Sequence, residues 1–113
     1  MKKYLFTAAL TVLVFSCKEP KEEIPNNVLP MNKMINVLID IHLIEANLSS
    51  KNLPRDTSVV FYNLYKKDLY KKYNIDDSSY TRSFNYYSTR PPLMDKIYEK
   101  VVDSLSLLEG KEK

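Results

Sequence analysis

The chain has 113 residues, too few for more than one ordinary domain, and its single cysteine excludes an internal disulfide. It holds 17 basic and 14 acidic residues, but two of the lysines lie in a predicted export signal, so the rest of the chain is nearly neutral. A nucleic-acid-binding surface needs a strong positive excess, and we therefore expect no nucleic-acid partner.

The first 17 residues have the pattern of a bacterial lipoprotein signal. Lys2 and Lys3 precede an uncharged, mostly apolar run over residues 5–15, and the small Ser16 stands before Cys17. The run is too short for a transmembrane helix, which needs about 20 apolar residues. The A-x-A-like end of an ordinary cleaved signal is absent.

We therefore predict that residues 1–16 are a cleaved lipoprotein signal peptide. The Cys17 thiol is predicted to carry the lipid, with palmitate among its acyl chains. Two or more acyl chains anchor a protein stably, so the predicted location is a membrane of the cell envelope, with its periplasmic or surface face left open. Residues 18–29 are charged and proline-containing and show no apolar period. We expect residues 17–29 to be the lipidated cysteine and a flexible tether.

The first two helices are predicted from their apolar spacing. The first begins with Asn32 as N-cap and runs to about Leu48. The second begins with Asp56 or Thr57 as N-cap and runs to about Tyr73. The apolar stripe predicted for this second helix consists of Phe61, Tyr62, Tyr65, Leu69 and Tyr73.

Lysines 66, 67, 71 and 72 spread over the other side of the second helix. We interpret them as a solvated helix face, with Asp68 in the favourable position to pair with Lys72.

A turn at residues 74–77 leads to a third, shorter helix, which Asp76 or Asp77 can cap. The pair Pro91 and Pro92 ends this helix and opens the fourth. That last helix, predicted for about residues 92–108, has the cleanest apolar stripe and is expected to end at Gly110. Its stripe consists of Leu93, Met94, Ile97, Tyr98, Val101, Leu105 and Leu108.

Four amphipathic segments with short connections predict an all-α fold, a small bundle of about four helices over residues 30–109. The single glycine agrees, because tight β-hairpin turns commonly use glycine. Residues 110–113 are expected to form a disordered tail.

The order and spacing of several short segments resemble an uncharacterised lipoprotein family of Bacteroidota, domain of unknown function 4296. These segments are VLIDIHLIEA at residues 37–46, YKKYNI at residues 70–75, and Phe84 with Tyr86-Tyr87. Pro30 precedes them in the chain, and Pro91 and Ile97-Tyr98 follow them. The resemblance implies a small helical fold and a lipoprotein location, but no activity. In that family glycine is usual where Asn74 stands.

His42 and Glu45 are the most unusual polar residues of the first helix, because both fall within its apolar arc. One interpretation is a metal-binding or acid–base pair, although H-x-x-E supplies only two of the ligands that zinc needs. The other is a structural polar cluster with a buried Glu45 satisfied by His42, Arg82, Arg90 or tyrosine hydroxyls. We expect no catalytic residue, metal or cofactor.

Tyr70 and Tyr86 lie off the apolar stripes of their helices, so they are predicted to be exposed and to contribute to a contact surface. The sequence thus favours a non-enzymatic, membrane-anchored module that binds another envelope protein or an unfolded chain. A metal-dependent or acid–base enzyme using His42 and Glu45 is one alternative, and a purely structural envelope component is another.

Overall fold

The computed structural model describes residues 23–112, with side chains for residues 23–110. These residues form four α-helices and no strand: α1 (Met31–Ser50), α2 (Arg55–Tyr73), α3 (Asp77–Ser88) and α4 (Pro91–Glu112). The predicted all-α fold class is confirmed. The predicted signal, Cys17 and residues 18–22 of the predicted tether lie outside the described residues. Within residues 23–112, no helix combines the length and the apolar character needed to cross a membrane.

Helix α1 is the central element, because it packs against both α2 and α4, while α3 packs against α4. Helix α2 runs antiparallel to α1, and its last residue, Tyr73, donates a 2.7 Å hydrogen bond to Asp40 near the middle of α1. Helix α4 runs parallel to α1: the rings of His42 and Tyr98 lie 6.2 Å apart, and the two C-terminal halves continue side by side.

The buried core is concentrated toward one end of the molecule. One cluster joins α1, α3 and α4, and a second joins α1 to α2. Tyr80 of α3 packs against both clusters and so links them. The buried apolar residues of the helices are Met34, Val37, Leu38, Ile41, Leu48, Leu69, Tyr87, Ile97 and Val101. Apart from Leu48, and from Ile41 just past the middle of α1, they come from the first half of α1, the second half of α2, α3 and the first half of α4.

Helices α1 and α2 both begin directly after a proline. Pro30 and Pro54 occupy the N-cap positions, and neither helix has a side-chain cap. Their carbonyls accept the first helical hydrogen bonds, each 2.9 Å long. The predicted N-caps of these two helices were therefore wrong by two or three residues, since proline already fixes the φ angle that a helix start requires.

The structure confirms the turn that was predicted between the second and third helices. Asn74 adopts a left-handed conformation with φ of 53° and caps the C-terminus of α2. Asp76 caps α3, and its Oδ1 accepts a 2.7 Å hydrogen bond from the Ser79 N–H. Because the ionised form accepts this bond, the contact holds the pKa of Asp76 below its usual value.

Helix α4 is longer than predicted. It starts at Pro91 and continues through Gly110 to Glu112, so the glycine does not end the helix and residues 110–112 are not a disordered tail. Glycine is unfavourable inside a helix by only about 1 kcal/mol, which the hydrogen bonds of a long helix can tolerate.

The predicted tether ends earlier than expected, because residues 24–29 pack on the helices. Val28 and Leu29 are buried in the larger core cluster. The Leu29 N–H donates to Ser83 Oγ at 2.9 Å, and the Tyr87 hydroxyl donates to the Leu29 carbonyl at 2.6 Å. Residues 24–29, here called the strap, therefore belong to the domain, and its predicted boundary at residue 30 was too late.

The stripe predicted for α2 was only partly right. Leu69 is buried, and Tyr62 and Tyr73 are half-buried, but Phe61 and Tyr65 are exposed to solvent. The two exposed rings stack on each other instead, with centroids 6.2 Å apart and an interplanar angle of 23°.

Candidate interaction surface

His42 and Glu45 form a solvent-exposed pair on α1. The His42 Nδ1 atom lies 3.4 Å from Glu45 Oε2, and the two side chains are 36% and 52% exposed. The predicted burial of Glu45 was therefore wrong. Removing its carboxylate would leave no buried partner unpaired, so the destabilisation that a buried glutamate would cause is not expected.

The arginines predicted to satisfy a buried Glu45 have other partners. Arg82 donates a 2.9 Å hydrogen bond to the Asn27 carbonyl of the strap. Arg90 donates to the Tyr86 carbonyl at 3.1 Å and lies 3.7 Å from the centre of the Tyr86 ring. Among residues 23–110, no group of three or more His, Cys, Asp or Glu side chains is arranged to hold a metal ion. The geometry around His42 therefore lends no support to a metal site in this part of the chain.

Tyr70 and Tyr86 are half-buried and not among the most exposed aromatic residues, so the prediction of their exposure was wrong. The Tyr70 hydroxyl donates a 3.0 Å hydrogen bond to Asp77 Oδ1. Burial, followed by this bond to the carboxylate, raises the pKa of the Tyr70 hydroxyl. The ring of Tyr86 meets the buried ring of Tyr87 edge-on at 5.3 Å. Both residues stabilise the packing of the helices, and their place in a contact surface stays a prediction.

Two of the α2 lysines hold helices together. The Lys66 Nζ atom lies 5.5 to 5.7 Å from the centres of three tyrosine rings, on α2 and α3, and 3.6 Å from Asp77 Oδ1. The Lys72 Nζ atom lies 2.8 Å from Asp40 Oδ2 of α1, in place of the predicted pairing with Asp68. The Lys66 and Lys72 contacts lie at the surface of the fold, and the Lys72 side chain stays 64% exposed to solvent.

A groove of about 510 Å³ separates the C-terminal halves of α1 and α4. Its residues are His42, Leu43, Ala46, Asn47, Ser50, Leu105, Leu108 and Glu109. The side chain of Ala46 is small, which leaves space between the two helices. The groove therefore combines leucine side chains with polar groups at its rim, the combination that small binding sites usually present.

A second depression, of about 300 Å³, lies on the other side of α1 against the start of α2. It is lined by Glu45, Leu48, Ser49, Ser58, Val59 and Tyr62. Both depressions are at the end of the molecule opposite the strap. We call this region the open end and define it as residues 42–50, 55–65 and 102–110.

The open end also carries the large apolar side chains that are most exposed among the described residues. They are Leu43, Val59, Val60, Phe61, Leu64, Tyr65, Val102, Leu107 and Leu108. Single exposed apolar residues are ordinary, but a concentration of them at one end makes the open end a candidate interaction surface. Leu108 was predicted to lie in the apolar stripe of the last helix, but it is exposed. The apolar period predicts which face of a helix is apolar, but it does not predict how far along that face neighbouring helices extend.

No curated protein sequence and no solved structure matches the chain significantly. One family model does match, and it covers residues 25–111, a span that includes all of α1, α2 and α3, almost all of α4 and most of the strap. The start of this match at residue 25 agrees with the burial of Val28 and Leu29. The chain belongs to the family described as domain of unknown function (DUF4296).

Proposed function

We propose that this protein is a non-enzymatic interaction module, lipid-anchored in the cell envelope through Cys17, whose groove between α1 and α4 binds a helical segment of another envelope protein. The observation that carries the proposal is the groove itself, with Leu43, Leu105 and Leu108 along it and further exposed leucine and valine side chains around it.

The form of the groove supports a helical segment as its occupant. Two neighbouring helices form its walls, and such grooves accept the apolar face of an amphipathic helix. Polar side chains at its rim, Asn47 and Ser50 from α1, can hydrogen-bond to the polar edge of such a segment. The Glu109 carboxylate favours a basic residue at the end that lies beside the α4 C-terminus.

The test fills the groove without disturbing the core. Ala46 is exposed, so Ala46→Trp places an indole between α1 and α4 in a chain that still folds. Asn85→Trp, at an exposed position of α3 outside the groove, is the matched control. The full chain is captured from detergent extracts, and proteins recovered with it are quantified by mass spectrometry.

We expect Ala46→Trp to lose a partner that the wild-type chain and Asn85→Trp both retain. Equal recovery with all three chains, or no specific partner with the wild type, would refute binding in the groove. Circular dichroism of each variant checks that the helical content is unchanged.

The anchor is tested separately at Cys17. Cys17→Ala is expected to abolish incorporation of labelled palmitate and to release the domain from the membrane fraction, because no other thiol is available in the chain. Ser16→Ala keeps a small residue before the cysteine and is expected to retain the label. Palmitate incorporation into Cys17→Ala at the wild-type level would refute the anchor.

A further inference from the structure

Helix α2 has a second apolar face, directed away from α1. At about 100° per residue, Val60, Leu64, Phe61 and Tyr65 span an arc of roughly 140°. The inward-facing residues Leu69, Tyr62 and Tyr73 occupy a different arc of the helix and pack toward α1.

The four side chains of this outer face are between 38% and 58% exposed, although each is large and apolar. Their spacing of i, i+1, i+4 and i+5 forms one continuous ridge along about two turns. A single helix with two apolar faces is expected when the second face packs against another helix.

The charges beside the ridge are arranged so that a second α2, running in the opposite direction, would place opposite charges next to each other. Asp56, at the N-terminal end of α2, and Lys67 and Lys71, at the C-terminal end, all lie within about 40° of Val60 around the helix. A twofold axis between residues 62 and 63, perpendicular to α2, would bring this side of α2 against the same side of a second α2 running in the opposite direction.

In that arrangement the axial positions match. Asp56 of one copy falls between Lys67 and Lys71 of the other, within about 3 Å of each along the helix axis, at 1.5 Å rise per residue. The symmetry forms this contact twice. Asp68, near the middle of the face, comes opposite Thr57 in the first turn of the other α2, where the helix dipole favours a negative charge.

We propose that the outer face of α2 binds the same face of a second copy of this chain, as an antiparallel α2–α2 pair about a twofold axis. The ridge of Val60, Phe61, Leu64 and Tyr65 forms the centre of the interface, and the charges of Asp56, Lys67 and Lys71 fix its direction. This surface is distinct from the groove between α1 and α4, so the two can be occupied together.

The test co-expresses the full chain with two different affinity tags and measures how much of one copy is recovered with the other. Leu64→Glu is expected to lower recovery about tenfold or more, because it buries an unpaired charge between two helices. Leu107→Glu introduces the same charge at another exposed leucine, on α4, and is expected to leave recovery unchanged.

The direction of the pair is tested by charge reversal. Asp56→Lys alone should lower recovery, and its combination with Lys67→Glu and Lys71→Glu should restore recovery. Failure of the wild-type copies to co-purify, equal recovery with Leu64→Glu, or no restoration by the triple variant would overturn the proposal. The proposal would also be overturned if, in the absence of a second copy, a different protein is recovered with the chain and this recovery depends on Leu64.

Discussion

Leu29 has both of its backbone polar groups satisfied by side chains of α3. Ser83 Oγ accepts from its N–H, and the Tyr87 hydroxyl donates to its carbonyl. The Ser83 hydroxyl in turn donates to the Ser79 carbonyl at 2.6 Å. Ser83 and Tyr87 are both fully buried, so these bonds are formed out of contact with water. Two α3 side chains thereby fix the strap, which has no regular secondary structure of its own.

Tyr87→Phe tests this attachment. The variant keeps the ring but leaves the Leu29 carbonyl without its buried donor, and we expect the free energy of unfolding to fall by about 1–3 kcal/mol. Urea denaturation followed by circular dichroism measures the change. Tyr65→Phe removes the hydroxyl of an exposed tyrosine and should change stability by less than about 0.5 kcal/mol. Equal stability of Tyr87→Phe and the wild type would show that the strap is not fixed by this bond.

The burial of Tyr80 and Tyr87 makes stability depend on alkaline pH. Burial, followed by neighbouring tyrosine hydroxyls, raises the pKa of Tyr80 and of Tyr87 to about 12, from an ordinary value of 10.0. Between these values the unfolded chain has lost protons that the folded chain still binds, so the free energy of unfolding decreases as pH rises from about 10 to 12. Urea midpoints measured across this interval should fall steadily. A constant midpoint up to pH 12 would contradict the raised pKa values.

At the scale of the helices, the connection between α2 and α3 depends on local chemistry. Asn74 ends α2 in a left-handed conformation, and its N–H bonds to the Lys71 carbonyl at 3.2 Å. The next residue, Ile75, donates to the Tyr70 carbonyl at 2.9 Å and packs against both core clusters. The reversal therefore sets where α3 starts relative to α2.

Substitutions at Asn74 test the need for this conformation. Asn74→Gly is expected to keep or raise stability, because glycine adopts positive φ without a Cβ clash. Asn74→Ala should lower the free energy of unfolding by about 1–2 kcal/mol, since alanine is disfavoured in the left-handed region. Thermal denaturation of the pair gives the comparison. Identical midpoints for the glycine and alanine variants would mean that the positive φ carries no cost.

The features that sequence reasoning predicted correctly depend on neighbouring residues. The Asp76 cap, the turn at Asn74 and the apolar stripe of α4 around Ile97 and Val101 are all of this kind. The family resemblance also came from local segments, and the family match confirms membership of domain of unknown function 4296.

The incorrect predictions depend on contacts between distant parts of the chain. The strap contains Val28 and Leu29 between prolines and asparagines, with no helical period, and its burial depends on side chains 54 to 58 residues away. Glu45 was expected to be buried because it lies within the apolar arc of α1, but it lines the depression between α1 and the start of α2, where its side chain is 52% exposed. The groove could not be predicted from periodicity for the same reason.

At the scale of the whole molecule, the two ends differ in how much of the buried core they hold. The strap, α3 and most of the buried core lie at one end, and the strap is also where the chain arrives from the proposed anchor. Residues 18–23 are all that separates Cys17 from the strap, a distance of at most roughly 25 Å when extended. The open end lies at the other end of α1, whose 20 residues span about 30 Å. With the proposed anchor at Cys17, the candidate interaction surface would lie at the end farther from the attachment point.

Site-specific crosslinking in living cells is the most direct test of whether the groove between α1 and α4 binds another envelope protein, as we propose. A photo-reactive amino acid replaces Leu108 at the groove in the full chain, and Asn85 on α3 in a matched control. We predict that position 108 gives one defined adduct with an envelope protein, that position 85 gives none, and that Ala46→Trp removes the adduct. No adduct at position 108, or the same adducts at both positions, would contradict the claim.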